Sequence, residues 1–243
     1  VMILVTGATG ILGRVIVLEL LKRGKTVRAT KRKSSNLQEV RKSFQFYTET
    51  SNEYFDSIEW IEVDFEDIHS LQNALNGVEE VYHCAAKVSF HPKDEKKMYQ
   101  TNIEGTKQLL FACQNSSVKK FLFVSSIAVL DGLNENGELD ESSDFNPKID
   151  HSAYAISKHF SEMEVWRASA EGLNTVIVNP GIIIGSGNWK ESSGTLFKEL
   201  GENAYTFSGG TSYVDVRDVA QISIELMEKN IFGERFILIS ENK

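Results

Sequence analysis

Short apolar runs alternate with amphipathic stretches along the whole chain. Met2-Ile3-Leu4-Val5 reads as a buried strand, and Ile11, Leu12, Val15, Ile16, Leu18 and Leu20 form the apolar pattern of a helix closed by Lys22-Arg23-Gly24. Further strands are predicted at residues 26–30, 58–63, 81–86, 121–124, 175–178 and 235–239. Helices are predicted at 68–76 with Gly77 as its stop, at 94–116, at 153–171 before Gly172, and from a cap at Asp218 to Met227. The unbroken apolar run at 121–124 suits a strand buried on both faces. Repeated βα units predict an α/β fold, a doubly wound parallel sheet with right-handed crossovers.

Three stretches break this rhythm. Residues 34–57 read as a polar and aromatic insertion, 134–150 as an acidic segment with Asn-Gly and Asn-Pro turns, and 181–210 as Gly-, Ser- and Asn-rich loops with one short helix. Ligands of a doubly wound sheet sit beyond the carboxyl ends of its strands, so the last two are pocket candidates. The chain divides accordingly into a dinucleotide-binding domain at 1–180, part of a substrate-binding region at 181–210, and a return to the first domain at 211–243.

Composition narrows the classes. With 243 residues and 41% hydrophobic content, the chain makes one sizeable domain or one domain with a small appendage. A net charge of −8 and a pI of about 5.3 give no basic field for nucleic acid or an anionic membrane, and neither is expected as a partner. No apolar stretch nears the roughly 20 residues of a membrane span, and the opening core strand leaves no room for a signal peptide. Cys84 and Cys113 lie in apolar contexts and match no metal spacing. Both are expected as buried free thiols in a reducing compartment, with the cytoplasm as the default location and no metal site.

The chemistry starts at the first strand–helix junction, Thr6-Gly7-Ala8-Thr9-Gly10-Ile11-Leu12-Gly13. A glycine loop there aims unpaired backbone N–H groups and the positive end of a helix at one spot, where a diphosphate is the usual guest. Gly7 allows the tight turn, Gly10 leaves room for phosphates, and Gly13 lets helix and strand approach, with Thr9 and Ile11 between them. An ordinary strand-to-helix turn is the competing reading. No Gly-Lys-Ser/Thr follows, which excludes an ATPase-type phosphate loop. Farther on, Tyr154 and Lys158 share a helix face at a spacing of four, so a cation stands beside a phenol and favours its ionised form. Ser125-Ser126 directly follow the 121–124 strand and bring a hydroxyl to the same rim of the sheet as the glycine loop.

Gly7, Gly10, Gly13, Ser126, Tyr154 and Lys158, in that order, resemble the extended short-chain dehydrogenase/reductase superfamily, the epimerase/dehydratase branch of the Rossmann-fold enzymes. Further matches are Val63-Asp64-Phe65, Val81-Tyr82-His83-Cys84-Ala85-Ala86, Asn102-Ile103-Glu104-Gly105-Thr106, Asn179-Pro180-Gly181 and Tyr213-Val214-Asp215-Val216-Arg217-Asp218-Val219-Ala220, so the resemblance covers essentially the whole chain. It implies that Tyr154 donates a proton to a substrate carbonyl, that Lys158 tunes it and holds the nicotinamide ribose, and that Ser126 binds the carbonyl. Asn102 would support the proton path. Asp64 and Phe65 would hold the adenine, Ala85, Ala86 and Lys87 would run past the ribose, and Pro180 and Gly181 would cover the nicotinamide. Ser125 is read as a strand cap. Against the family's usual extent the substrate-binding region is small, either minimal or incomplete, and a homodimer through the 94–116 and 153–171 helices is allowed, with Phe160, Met163 and Trp166 as seam or core.

The cofactor follows from the end of the second strand. An NAD site presents a carboxylate roughly 20 positions beyond the glycines, but Thr30-Lys31-Arg32-Lys33 stand there. Three cations without a carboxylate favour a 2′-phosphate, so Arg32 and Lys33 point to NADP, with NAD as the second choice. The 27–32 and 179–185 segments resemble dihydroflavonol 4-reductase-like members, and the Arg that sugar-nucleotide enzymes show shortly before Pro180 is missing. The leading expectation is an NADP-dependent reductase of a ketone or aldehyde, or the reverse alcohol oxidation. The alternatives are a nucleotide-sugar epimerase or dehydratase with bound NAD, and a non-catalytic dinucleotide-binding regulator. Lys87, Val88, Ser89, Phe90, Leu130, Asp131, Trp189 and Tyr205 are candidates to face the substrate, Lys87 as partner of a substrate anion.

Overall fold

Alternation of side chains across each strand builds the molecule. In β1 (Met2–Thr6), Leu4 enters one core cluster while Ile3 and Val5 enter the other. In β5 (Lys120–Val124), Phe121 and Phe123 face one way and Leu122 and Val124 the other. A strand whose two faces both meet helices is apolar at every position, which is why these runs are continuous. The computed structural model describes residues 1–89, 91–186 and 212–242.

Between β1 and β2 (Thr26–Lys31) runs α1 (Ile11–Lys22), followed by α2 (Leu37–Phe44), α3 (Ser51–Asp56) and β3 (Glu59–Glu62). Then come α4 (Ile68–Ala74), β4 (Val78–His83), α5 (Glu95–Tyr99), a π-helical turn at Gln100–Glu104, α6 (Gly105–Gln114) and β5. The chain continues through α7 (Ala153–Ala170), β6 (Asn174–Pro180), β7 (Ile182–Ile184), β8 (Ser212–Asp215), α8 (Val216–Glu228), β9 (Glu234–Leu238) and β10 (Glu241–Asn242). Seven parallel strands lie in the order β3-β2-β1-β4-β5-β6-β9, and β10-β8-β7 form a small second sheet. The expected doubly wound Rossmann-type sheet is therefore present. Strand order reverses between β1 and β4, and that switch point opens the crevice in which such sheets bind ligands.

Several expected boundaries move. The 34–57 insertion contains α2 and α3, whose Val40, Phe44 and Phe55 are buried against the first helix layer; the intervening polar residues mask this apolar face in the sequence. The fourth strand begins earlier and ends at His83, so Ala85 and Ala86 lie in the loop beyond it. The single helix expected at 94–116 is α5, the π turn and α6 in succession. The cap of α8 is Asp215, whose side chain accepts the Arg217 N–H; Asp218 sits inside the first turn. Cys113 is buried, but Cys84 keeps part of its surface exposed, because it stands at the open end of β4. Of the 181–210 region, Gly181 to Ser186 are described; Trp189 and Tyr205 lie outside the described residues, as does Phe90.

Candidate active site

The glycine loop meets the geometric demand its spacing implies. Gly7 has φ +63, and a Cβ on it would come within 2.6 Å of the Ala85 nitrogen. A Cβ on Gly13 would stand 2.2 Å from the Gly7 carbonyl oxygen. Gly10 caps α1 with no side-chain hydrogen bond, and no acidic residue occupies the first turn, so the N–H groups of that turn stay available to an anion. Arg14, only 2% exposed, braces the loop from behind: its Nε donates to the Gly10 carbonyl at 3.1 Å, Nη2 donates to the Thr9 carbonyl, and the guanidinium pairs with Glu39. Thr30 offers its hydroxyl oxygen to the Gly7 N–H at 3.3 Å, so the end of β2 is tied to the loop by a neutral group. These features suit a dinucleotide, whose diphosphate the first turn of α1 would hold.

The end of β4 lies against the same loop. His83 is buried between the Thr6 hydroxyl at 2.6 Å and the Thr106 hydroxyl at 2.9 Å, and burial lowers its pKa to about 3, so the ring is neutral. Beyond it, the Lys87 N–H donates to Asn102 Oδ1 at 2.7 Å and its carbonyl accepts Asn102 Nδ2 at 2.9 Å. Asn102 also donates to the Ser157 hydroxyl at 2.9 Å, while its own carbonyl accepts the Ser161 hydroxyl at 2.6 Å. Asn102, on the π turn, thus clamps the loop after β4 onto α7. Lys87, expected to meet a substrate anion, instead pairs with Asp94 at 2.9 Å. Phe65 packs its ring 5.9 Å from His83 and against Gly105, and Asp64 stands exposed at the rim, its carboxylate accepting the Glu66 N–H.

Ser126, Tyr154 and Lys158 come together at the carboxyl end of β5. Ser152 caps α7 by accepting the Ala155 N–H, which starts the helix so that Tyr154 faces the sheet in its first turn. The phenol hydrogen-bonds the Ser126 side chain, whose oxygen also accepts the Ala128 N–H at 3.1 Å. Burial raises the Tyr154 pKa and the Ser126 contact pulls it partly back. This corrects the expectation that the neighbouring cation governs the phenol: Lys158 Nζ donates to the Val124 carbonyl at 2.7 Å and sits 4.3 Å over the Phe123 ring. Burial lowers the Lys158 pKa to about 8, against an upward pull from Glu162. Ser125 is no simple strand cap, since its hydroxyl donates to Glu162 at 2.6 Å. Leu130 is buried, and Asp131 pairs with His151 at 3.2 Å, which ties the serine loop to the segment just before α7.

Pro180 is buried at the end of β6, and the Gly181 N–H donates to the Leu238 carbonyl at 3.0 Å. Arg32 and Lys33 are exposed beyond β2, and among the described residues neither side chain has a partner. Arg28, by contrast, is engaged by Glu59. Sequence reasoning missed Arg14, Glu162 and Arg235. Glu162 was reachable, since it continues the spacing of four from Tyr154 and Lys158; nothing in the pattern pointed to Arg235. Among the described residues, no three His, Cys, Asp or Glu side chains cluster to hold a metal, and no helix is long and apolar enough to cross a membrane.

The model of the NAD-dependent epimerase/dehydratase family matches residues 3–238. The sterol demethylase protein B of Methylococcus capsulatus is 31% identical over 98% of this chain and 70% of its own length. The dihydroflavonol 4-reductase of Arabidopsis thaliana is 26% identical over 98% of this chain and 65% of its own length. Among solved structures, that of gox2253 superimposes with a TM-score of 0.85 at 30% identity, covering all of this chain and 71% of its own. The structure of Gre2 from Candida albicans in complex with NADPH has a TM-score of 0.82 at 22% identity, covering all of this chain and 79% of its own. The chain thus spans about two thirds or more of each of these relatives. With its switch-point glycine loop and its Ser–Tyr–Lys rim, the chain belongs to the NAD-dependent epimerase/dehydratase family and is an NAD(P)-dependent oxidoreductase of the extended short-chain type.

Proposed function

We propose that this protein reduces a ketone or aldehyde to an alcohol with NADPH. The observation that carries the reading is the Tyr154 phenol, hydrogen-bonded to Ser126 at the carboxyl end of β5, with burial raising its pKa. A phenol held as an acid suits proton donation to a developing alkoxide, the step a carbonyl reductase needs. The relative named dihydroflavonol 4-reductase supports the same direction.

A bound NADPH supplies the hydride that adds to the carbonyl carbon. Ser126 hydrogen-bonds the carbonyl oxygen through its hydroxyl, keeps its own proton, and polarises the carbonyl. Tyr154 then delivers its proton to that oxygen as charge develops there. Lys158, at the carboxyl end of β5, would hold the ribose hydroxyls of the cofactor. Asn102 keeps the Lys87 loop against α7, so the ribose-side wall stays in place. Net NADPH oxidation in the presence of a panel of ketones and aldehydes tests the reading. Absence of turnover across the panel, with the cofactor bound, counts against it.

Arg32 and Lys33 grip the 2′-phosphate in this account, because both are free cations beside a strand end that carries no carboxylate. Replacing both by serine is expected to weaken NADPH binding by about tenfold or more and leave NADH binding nearly unchanged, read by quenching of protein fluorescence. Tighter NADH than NADPH binding in the wild type overturns the assignment.

A second copy of the chain is the partner this reading adds. Phe111 on α6 and Phe160 and Met163 on the adjoining α7 are exposed apolar side chains, 55%, 50% and 41% accessible. Trp166 is partly buried and packs against the core cluster beneath the helix. Sedimentation velocity is expected to show a two-chain species that Phe160→Glu with Met163→Glu converts to single chains. A wild type that sediments as a single chain at tens of micromolar contradicts it.

A further inference from the structure

Glu162 is the one fully buried carboxylate among the described residues, 1% exposed. It stands one turn beyond Lys158 on α7, as Lys158 stands one turn beyond Tyr154, so all three share a helix face. Its Oε2 accepts the Ser125 hydroxyl at 2.6 Å and Asn179 Nδ2 at 3.1 Å. The same Asn179 nitrogen donates to the Ser126 carbonyl at 3.1 Å, so Glu162 reaches both serines at the end of β5. Its Oε1 accepts Arg235 Nη1 at 2.9 Å. Arg235 in turn donates through Nε to the Glu141 carbonyl at 2.8 Å and through Nη2 to the Ser143 carbonyl. One carboxylate therefore joins the catalytic helix, the serine loop, β6, β9 and the 141–143 segment.

Stability alone is a poor reason for this arrangement, since buried ion pairs seldom outperform apolar residues of the same volume. Charge gives a better one. The titratable groups around Lys158 are Tyr154 and Glu162 on α7 and His83 and Cys84 at the end of β4. His83 is neutral with a pKa of about 3, burial pushes the Cys84 thiol up to about 12, and Tyr154 is held above its usual value. The fourth, the Glu162 carboxylate, pulls the Lys158 pKa upward against burial.

We propose that Glu162 is the positioning residue of this active site: through Ser125 and Asn179 it fixes the strand end that presents Ser126, and from one turn farther along α7 it sets the charge that Lys158 faces. The kinetic half of this inference rests on the reductase reading; the electrostatic half does not. The test uses the protein labelled with 13C at the lysine side chains, with the Lys158 signal identified by its loss in Lys158→Arg. In the wild type the Lys158 midpoint is expected at about 8, lowered from the ordinary value by burial. In Glu162→Gln its midpoint is expected to fall by about one unit, and kcat at pH 7.5 to fall about tenfold.

An unmoved midpoint overturns the inference whatever the turnover does. A moved midpoint in a protein that reduces no carbonyl supports the role of Glu162 and removes the reductase reading instead. If Glu162→Gln does not fold, Ser125→Ala decides the matter, because it deletes one contact to Glu162 and no charge. Its kcat is expected about tenfold lower at an unchanged NADPH dissociation constant, and a wild-type kcat overturns the inference.

Discussion

Tyr154→Phe is expected to lower kcat by about 10²–10⁴ while leaving the NADPH dissociation constant within about twofold. The substitution removes one oxygen from a side chain whose ring stays packed at the start of α7, so fold and cofactor cradle persist. What disappears is the phenol hydroxyl that hydrogen-bonds the Ser126 side chain. Steady-state kinetics together with fluorescence titration of NADPH separate the two effects. Turnover near wild type in this variant would remove Tyr154 from the chemistry, because among the described residues no other acid shares its contact with Ser126.

The second large effect is expected at Gly13. Alanine there places a Cβ 2.2 Å from the Gly7 carbonyl oxygen, which is backbone and cannot rotate aside. The loop has to open, and Gly7, already at φ +63 and pressed against Ala85, has little freedom to follow. Gly13→Ala is therefore expected to weaken NADPH binding by more than about tenfold, as the N–H groups at the start of α1 lose their common aim. Overpacking of this kind costs about 1–3 kcal/mol, or about 5 °C in melting temperature for a chain of this size. Thermal unfolding and cofactor titration of the variant check both figures; wild-type affinity would mean that phosphates do not rest on this loop.

Much of this was legible in the sequence for a physical reason: strands buried on both faces must be apolar throughout, and a close strand–helix approach must use glycine. Phe121–Val124 and the loop from Gly7 to Gly13 announce themselves in this way. The spacing of four that joins Tyr154 to Lys158 is equally visible, since it depends on one helix alone. What stayed hidden depends on contacts between distant segments. Arg235 meets Glu162 across 73 positions, and Lys87 finds Asp94 only because the chain turns back at residues 91–94. The direction of the Tyr154 pKa was also hidden, because burial and the aim of the Lys158 ammonium at the Val124 carbonyl are properties of the folded site. The helices within 34–57 escaped notice because each is short and buries only one or two large side chains.

Net carbonyl reduction is tested most directly by counting NADPH consumed against alcohol formed in the same reaction. One NADPH is expected to be oxidised per alcohol produced, with both lost together in Tyr154→Phe. Rearrangement of a nucleotide sugar with no net oxidation of NADPH, and no alcohol from any carbonyl tested, would contradict it.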